Sequence, residues 1–350
     1  MLAVFTGSVV DRLGPKKGLL FGVACLGFMS LLFGFSPSYP VLLTLAVFAG
    51  LGFSIITPSV NKGVMIETPP GKRAISMGIM QSGVGVGGFA GASLLPLLGE
   101  YFGWRITIQL TGLFILVIGF LAYKFYHEKT GNITQDENQN SSSGKALSFK
   151  ENLSYFLTKM PFVILCIYGA LLAGSTVGAV LSHFPVYLSE DLFMSRAASG
   201  LGLGIFQIGG MIGRPGWGWL SDKLFQGNWR KTIFLIGFTG GSMFVLFGLF
   251  ISGPDIPLPV IYLFSFLLGL TAFGWFGVFF IAVGEIAGEA STGGATGLAL
   301  LFTRVGILIT PPLFGLVADI SSSYSSSWLL FGVIILAASL LYNFTKHSKP

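Results

Sequence analysis

Two arginines stand inside long apolar runs, and they carry the most chemistry this sequence has to offer. Arg214 precedes Asp222 by eight residues, which on a helix places it roughly 12 Å along the axis from that acid. Arg304 lies about ten residues into the apolar run 294–317, roughly 15 Å deep. Arginine in hydrocarbon is costly and needs a partner or a wet cavity. Two guanidinium groups at one level, facing a shared cavity, suit a carboxylate or another small anion, which they hold by charge-assisted paired hydrogen bonds. The alternative for each is a snorkelling or conformational arginine with no ligand. Gln81, Tyr168 and Gln207 complete the candidate substrate-binding set, with membrane-belt or packing roles as their alternative, as for Trp217 and Trp275. No Asp or Glu falls at the same depth: Glu285 and Glu289 flank one loop, while Glu190, Asp191 and Asp255 fall at the opposite end of their runs. A buried carboxylate relay is therefore not visible. His183, just before Pro185, reads as an interfacial residue at a helix end.

Other chemistries find little support. Cys25 and Cys166 lie within apolar runs and read as packing residues, so neither a disulfide framework nor a metal site is expected. Gly83, Gly85 and Gly88 fit G-x-G-x-x-G, yet no strand precedes them and no soluble βαβ unit surrounds them. They predict a small-residue helix face for close packing instead. No phosphate-binding loop for ATP occurs, no catalytic constellation is present, and no cofactor is expected.

The elements that must position these residues are membrane helices. Of 350 residues, 53% are hydrophobic and only 10% charged, where a soluble domain carries about a quarter. Such a chain cannot cover a water-facing surface. Apolar runs occupy 18–36, 40–64, 75–98, 104–124, 160–184, 197–219, 232–252, 258–284, 294–317 and 327–345. Each matches a hydrocarbon core of about 30 Å. Before them, Met1–Val10 is an apolar stub without the basic start of a signal peptide, read as the end of a helix whose beginning is absent. The net charge of +6 is spread over short loops, so a membrane and no nucleic acid is the expected partner. With Asp11–Lys17 placed in the cytoplasm, fifteen Lys and Arg fall on that side against Arg105 and Arg196 on the other. Lys62, Arg214 and Arg304 fall within the runs. A polar segment, 127–159, reads as a cytoplasmic linker, partly disordered, in which the Asn132 sequon is a chance match. It divides the chain into 1–126 and 160–350, and the C-terminus is expected in the cytoplasm.

Two loops repeat. Gly7-Ser-Val-Val-Asp11-Arg12-Leu-Gly14-Pro-Lys16-Lys17 returns as Gly218-Trp-Leu-Ser-Asp222-Lys223-Leu, followed downstream by Arg230-Lys231; Gly and Asp keep one offset of 211 residues. The first copy resembles the signature G-x-L-A-D-R-x-G-R-K between the second and third helices of major facilitator proteins, departing at Val9, Val10 and Pro15. The second resembles the weaker copy after helix eight. The resemblance implies an all-α membrane protein with two pseudo-symmetric helical halves, here about ten full spans plus the stub, the first helix and most of the second being absent. It also implies that Gly7, Asp11, Arg12, Gly14, Lys16, Gly218, Asp222, Lys223 and Arg230 work as conformational loop residues, for which helix capping and topology are the plainer alternative.

Gly213-Arg214-Pro-Gly-Trp-Gly218-Trp-Leu-Ser-Asp222 resembles helix eight of the monocarboxylate and oxalate/formate branch, whose matching arginine binds substrate carboxylate. Some monocarboxylate carriers hold an Asp four residues before it, where this chain has Gly210. By the same resemblance Arg304 takes the part of a basic residue in helix eleven, with Gln81 as its pseudo-symmetric partner. The basic loop Gly71-Lys72-Arg73-Ala-Ile-Ser-Met-Gly78 is similar to the one before helix five in anion-carrying members. The expectation is a monomeric secondary transporter in the cell membrane, carrying a small organic anion by alternating access, with a proton or counter-anion as coupling partner. Export of amphiphilic compounds and a non-transporting receptor or scaffold stand as the alternatives.

Overall fold

The computed structural model describes residues 3–125, 155–251 and 256–344, and every described element is helical. Most of the 127–159 linker, with Asn132, lies outside the described residues. A short α1 (Ala3–Leu13) leads to α2 (Pro15–Phe33), α3 (Tyr39–Glu67) and α4 (Arg73–Phe125). Then follow α5 (Met160–Glu190), α6 (Arg196–Trp219), α7 (Trp229–Phe250), α8 (Leu258–Ala287), α9 (Thr292–Ser321) and α10 (Tyr324–Phe344). Among the described residues, eight helical stretches are long and apolar enough to cross a membrane. The two remaining expected spans, 75–98 and 197–219, are helical as well and rich in glycine. Phe21, Phe114, Phe120, Leu308, Ile320 and Phe344 are all more than 60% exposed. Lipid is the solvent that makes such a surface favourable, and this is a multi-pass membrane protein.

Two junctions are tighter than their polar composition predicts. The stretch Asp11–Lys17 is not a loop: α1 continues through Asp11 and Arg12 to Leu13, and Gly14 alone turns the chain (φ 86°, ψ 160°) before Pro15 opens α2. Likewise the runs 75–98 and 104–124 are two helices, taken together as α4, that join directly at Gly103 (φ 75°, ψ 157°). Both glycines occupy a backbone region essentially closed to other residues. Gly14→Ala should therefore cost about 1–3 kcal/mol. It would be seen as a lower thermal unfolding midpoint in detergent, and an unchanged midpoint would count against the strained corner.

The chain forms two compact units. One gathers Met1–Pro69, Gly87–Phe156 and Gly284–Leu298; the other gathers Pro70–Val86, Leu157–Val283 and Ala299–Pro350. In the first, α2 crosses α3 so closely that a Cβ on Gly22 would stand 2.8 Å from the Gly52 carbonyl oxygen. Close backbone approach replaces the hydrophobic drive that helices lack inside lipid. In the second, α7 packs along α10. Buried Trp328 gathers Phe184, Phe244, Phe247 and Phe314 at ring-centroid distances of 5.1 to 5.9 Å. Pairs of this kind add about 0.5–1.5 kcal/mol each beyond their buried area. Among the described residues, three wide (π) helical turns occur in this unit: Gly174–Ala179 within α5, Leu220–Leu224 after α6 and Gly269–Phe273 within α8. Such turns tend to mark functional places in helices.

Candidate functional site

Arg214, on α6, is 4% exposed. Its Nη1 donates to the main-chain oxygen of Gln81 on α4 at 2.6 Å. Two rings of α8 cover the guanidinium, Phe273 at 4.7 Å and Phe276 at 5.8 Å from Cζ. α4 and α6 can approach this closely because Gly78 has no side chain: a Cβ there would meet Pro215 Cα at 2.9 Å. Trp217, one turn along α6, donates its indole N–H to Leu270 O at 2.8 Å and so ties α6 to the wide turn that ends at Phe273. Two donors in this seat lack an acceptor among the described residues, Arg214 Nε and the side-chain Nε2 of Gln81. Gln81 is itself 7% exposed. A buried donor left unpaired costs about 1–3 kcal/mol, more for a charged group. Both are donors and one belongs to a cation, so their chemical complement is an acceptor with negative charge.

The other sequence candidates are placed differently. Arg304 is exposed, and no hydrogen bond among the described residues links it to Arg214. Tyr168 is buried, its hydroxyl sharing a hydrogen bond with Ser339 at 2.7 Å and its ring stacked on Tyr342 at 5.0 Å. Gln207 is half-buried on α6. His183 Nε2 lies 3.0 Å from Pro311 O, with Phe314 and Tyr324 beside its ring. Trp275 is buried and donates to Thr176 Oγ1 at 3.2 Å. The glycine run of α4 meets neighbours only in part: Gly78 lies against α6 and Gly85 against Met211, while a Cβ on Gly83, Gly87 or Gly88 would find open space.

The two repeated acids do the same work in the two units. Asp11 Oδ1 accepts from Gly293 N at 2.8 Å, and Oδ2 from Gly294 N at 2.7 Å, at the first turn of α9. Asp222 Oδ2 accepts from Ile75 N at 2.9 Å, and Oδ1 from Ala74 N at 3.4 Å, at the first turn of α4. A carboxylate at a helix N-terminus satisfies unpaired N–H groups and meets the positive end of the helix dipole. Gly7 and Gly218 let the backbones touch there, Gly7 against Gly293 and Gly218 against Ala74. Burial raises the Asp11 carboxyl above its ordinary value, while the Lys62 charge and the backbone N–H groups pull it down. Burial also raises Asp222, against the N–H groups of Ile75 and Ala74 and the Lys223 charge. Lys62 Nζ reaches Asp11 Oδ1 at 3.0 Å and Asp11 O at 3.1 Å. That partner is missing from the sequence-derived set, although its signal, a cation within an apolar run, is present. Of the remaining motif residues, Arg12 and Lys223 are exposed, Lys16 lies over the Tyr123 ring at 5.4 Å, and Arg230 is half-buried at the start of α7.

A bundle of lipid-exposed helices, with repeated acids capping distant helix starts and an arginine seated among aromatic rings, is the frame of a membrane carrier. Residues 1–299 match the model of the Major Facilitator Superfamily, and the chain belongs to that family, as a transporter and not an enzyme. Among curated relatives, it is 27% identical to monocarboxylate transporter 12 of Xenopus laevis, over 99% of this chain and 77% of the relative. It is 23% identical to the hexuronate transporter of Bacillus subtilis, over 96% of this chain and 80% of the relative. In structure it is similar to the E. coli fucose:proton symporter FucP, with a TM-score of 0.77 at 16% identity, over 99% of this chain and 88% of that one.

Proposed function

We propose that the protein is a secondary transporter of a small organic anion, a mono- or dicarboxylate, and that Arg214 and Gln81 receive its carboxylate. The observation that carries this reading is the pair of vacant buried donors at Arg214 Nε and Gln81 Nε2. The names of the relatives, one a monocarboxylate and one a hexuronate transporter, support the same substrate class. Arg304, exposed on α9, is the second cation of the site, and Gln207 contributes a further polar group. Tyr168, with its hydroxyl given to Ser339, acts on the site from within the packed unit. Transport proceeds by alternating access, driven by a gradient of protons or of a counter-anion. The helix-end bonds of Asp11 and Asp222 form in one state and break in the other. The cytoplasmic placement of the linker and C-terminus is supported by the fifteen-to-two distribution of Lys and Arg, and the halves 1–126 and 160–350 and a monomeric carrier belong to the same reading.

The experiment is solute counterflow with the purified chain in proteoliposomes, using lactate, benzoate and succinate as anions and tetraphenylphosphonium as an amphiphilic cation. Counterflow of at least one carboxylate and none of the cation is expected. Cation counterflow alone would favour an exporter, and flux of neither, with carboxylate binding still measurable, a receptor.

A further inference from the structure

One of the two rings over Arg214, Phe276, has its anchor on a third helix. Trp275 stacks on Phe276 with ring centroids 4.1 Å apart and meets Phe279 edge-on at 5.1 Å. Its indole N–H donates to Thr176 Oγ1 at 3.2 Å, in the wide turn Gly174–Ala179 of α5. Thr176 spends its one hydroxyl proton on Leu172 O at 2.8 Å. Toward Trp275 it can therefore only accept, which fixes the direction of that bond. Both side chains are buried, Trp275 at 1% and Thr176 at 0% exposure, so water offers no substitute partner. A chain of contacts thus runs from Thr176 through Trp275 and Phe276 to the guanidinium of Arg214.

We propose that Thr176 and Trp275 are positioning residues that hold the aromatic wall over Arg214 and through it set how large an anion body the site admits. The proposal rests on Arg214 as the partner of the carboxylate. A carboxylate bound at Nε leaves its organic body beside Phe273 and Phe276, so the tilt of Phe276, the ring Trp275 stacks on, bears on the room for that body. Losing the Thr176 acceptor frees the indole, and the wall shifts while the cation keeps its bond to Gln81 O.

Thr176→Val keeps the volume and removes the acceptor; Thr176→Ser restores it. Two readouts are taken on the purified full chain. The first is the rate at which phenylglyoxal modifies Arg214, followed by mass spectrometry of its peptide, with exposed Arg304 as internal reference. Thr176→Val should raise that rate about fivefold, the worth of one hydrogen bond, and Thr176→Ser should return it near wild type. The second is the ratio of KM values for benzoate and acetate in counterflow. Thr176→Val should move that ratio about fivefold with the acetate maximal rate retained, and Thr176→Ser should restore it. A role in packing alone would lower the maximal rate for both probes and leave the ratio unmoved. An unchanged ratio or an unchanged labelling rate in Thr176→Val overturns the proposal. If the wild-type chain carries neither benzoate nor acetate, the ratio is taken on two carboxylates it does carry; if it carries none, the carboxylate reading fails separately and the labelling rate alone decides the positioning claim.

Discussion

Counterflow of a carboxylate falls about 10- to 100-fold in kcat/KM when Arg214 is replaced by glutamine, the loss expected for a hydrogen bond to a charged group. Glutamine keeps a donor and the first part of the stem, while the charge and the guanidinium's contact with the Phe273 ring disappear together. Arg214→Lys separates charge from geometry. The ammonium keeps the charge but not the planar fork, and the Nη1 bond to Gln81 O and the vacant Nε cannot both be reproduced by one nitrogen. Its rate should lie between wild type and Arg214→Gln. Thermal unfolding in detergent provides the control: an arginine that serves packing alone would lose stability in step with transport. Arg214→Gln with full carboxylate counterflow and a lowered unfolding midpoint would remove Arg214 from the substrate site and leave the family assignment untouched.

How much of this is legible in the sequence depends on how local each feature is. The repeat of Gly7 and Asp11 at Gly218 and Asp222 is a local pattern, and it identifies the fold before any contact is known. The partners of those acids are not local: Asp11 binds amides 282 and 283 residues away. Nothing in the composition of Gly293 and Gly294 distinguishes them from the many other glycines of the chain. Arg214 is legible because a cation inside an apolar run is costly wherever it sits. Its aromatic seat is not, because Phe273 and Phe276 are two of 34 phenylalanines and only the fold selects them. Lys62 shows the same limit from the other side. Its cost is visible in the run 40–64, but the choice of Asp11 as its partner needs α1 and α3 to be laid together. At the junctions, polar residues suggest loops, whereas Gly14 and Gly103 make the turn in a single residue.

Asp11→Ala should be the most destabilising of the substitutions at the helix ends, costing about 3–5 kcal/mol, because it takes from the buried Lys62 ammonium the carboxylate it pairs with at 3.0 Å. The Asp11 side chain is 0% exposed and that of Lys62 only 7%, so water cannot replace the lost charge. The same change strips the acceptor from the amides of Gly293 and Gly294 at the start of α9. Asp222→Ala removes a cap from the start of α4 in the same way. Asp222 has no counterpart of Lys62 among the described ion pairs, and its bond to Ala74 N is long. Its loss should therefore cost about 0.5–2 kcal/mol, the range of an ordinary N-cap. The asymmetry between two copies of one motif is the informative quantity, and unfolding midpoints of the two variants in one detergent measure it. A double variant, Asp11→Ala with Lys62→Met, removes the buried charge as well and should recover part of the loss. Equal losses for Asp11→Ala and Asp222→Ala, with no recovery in the double variant, would mean that the Lys62 pair adds nothing to the cap. The repeated acids would then act through helix ends alone.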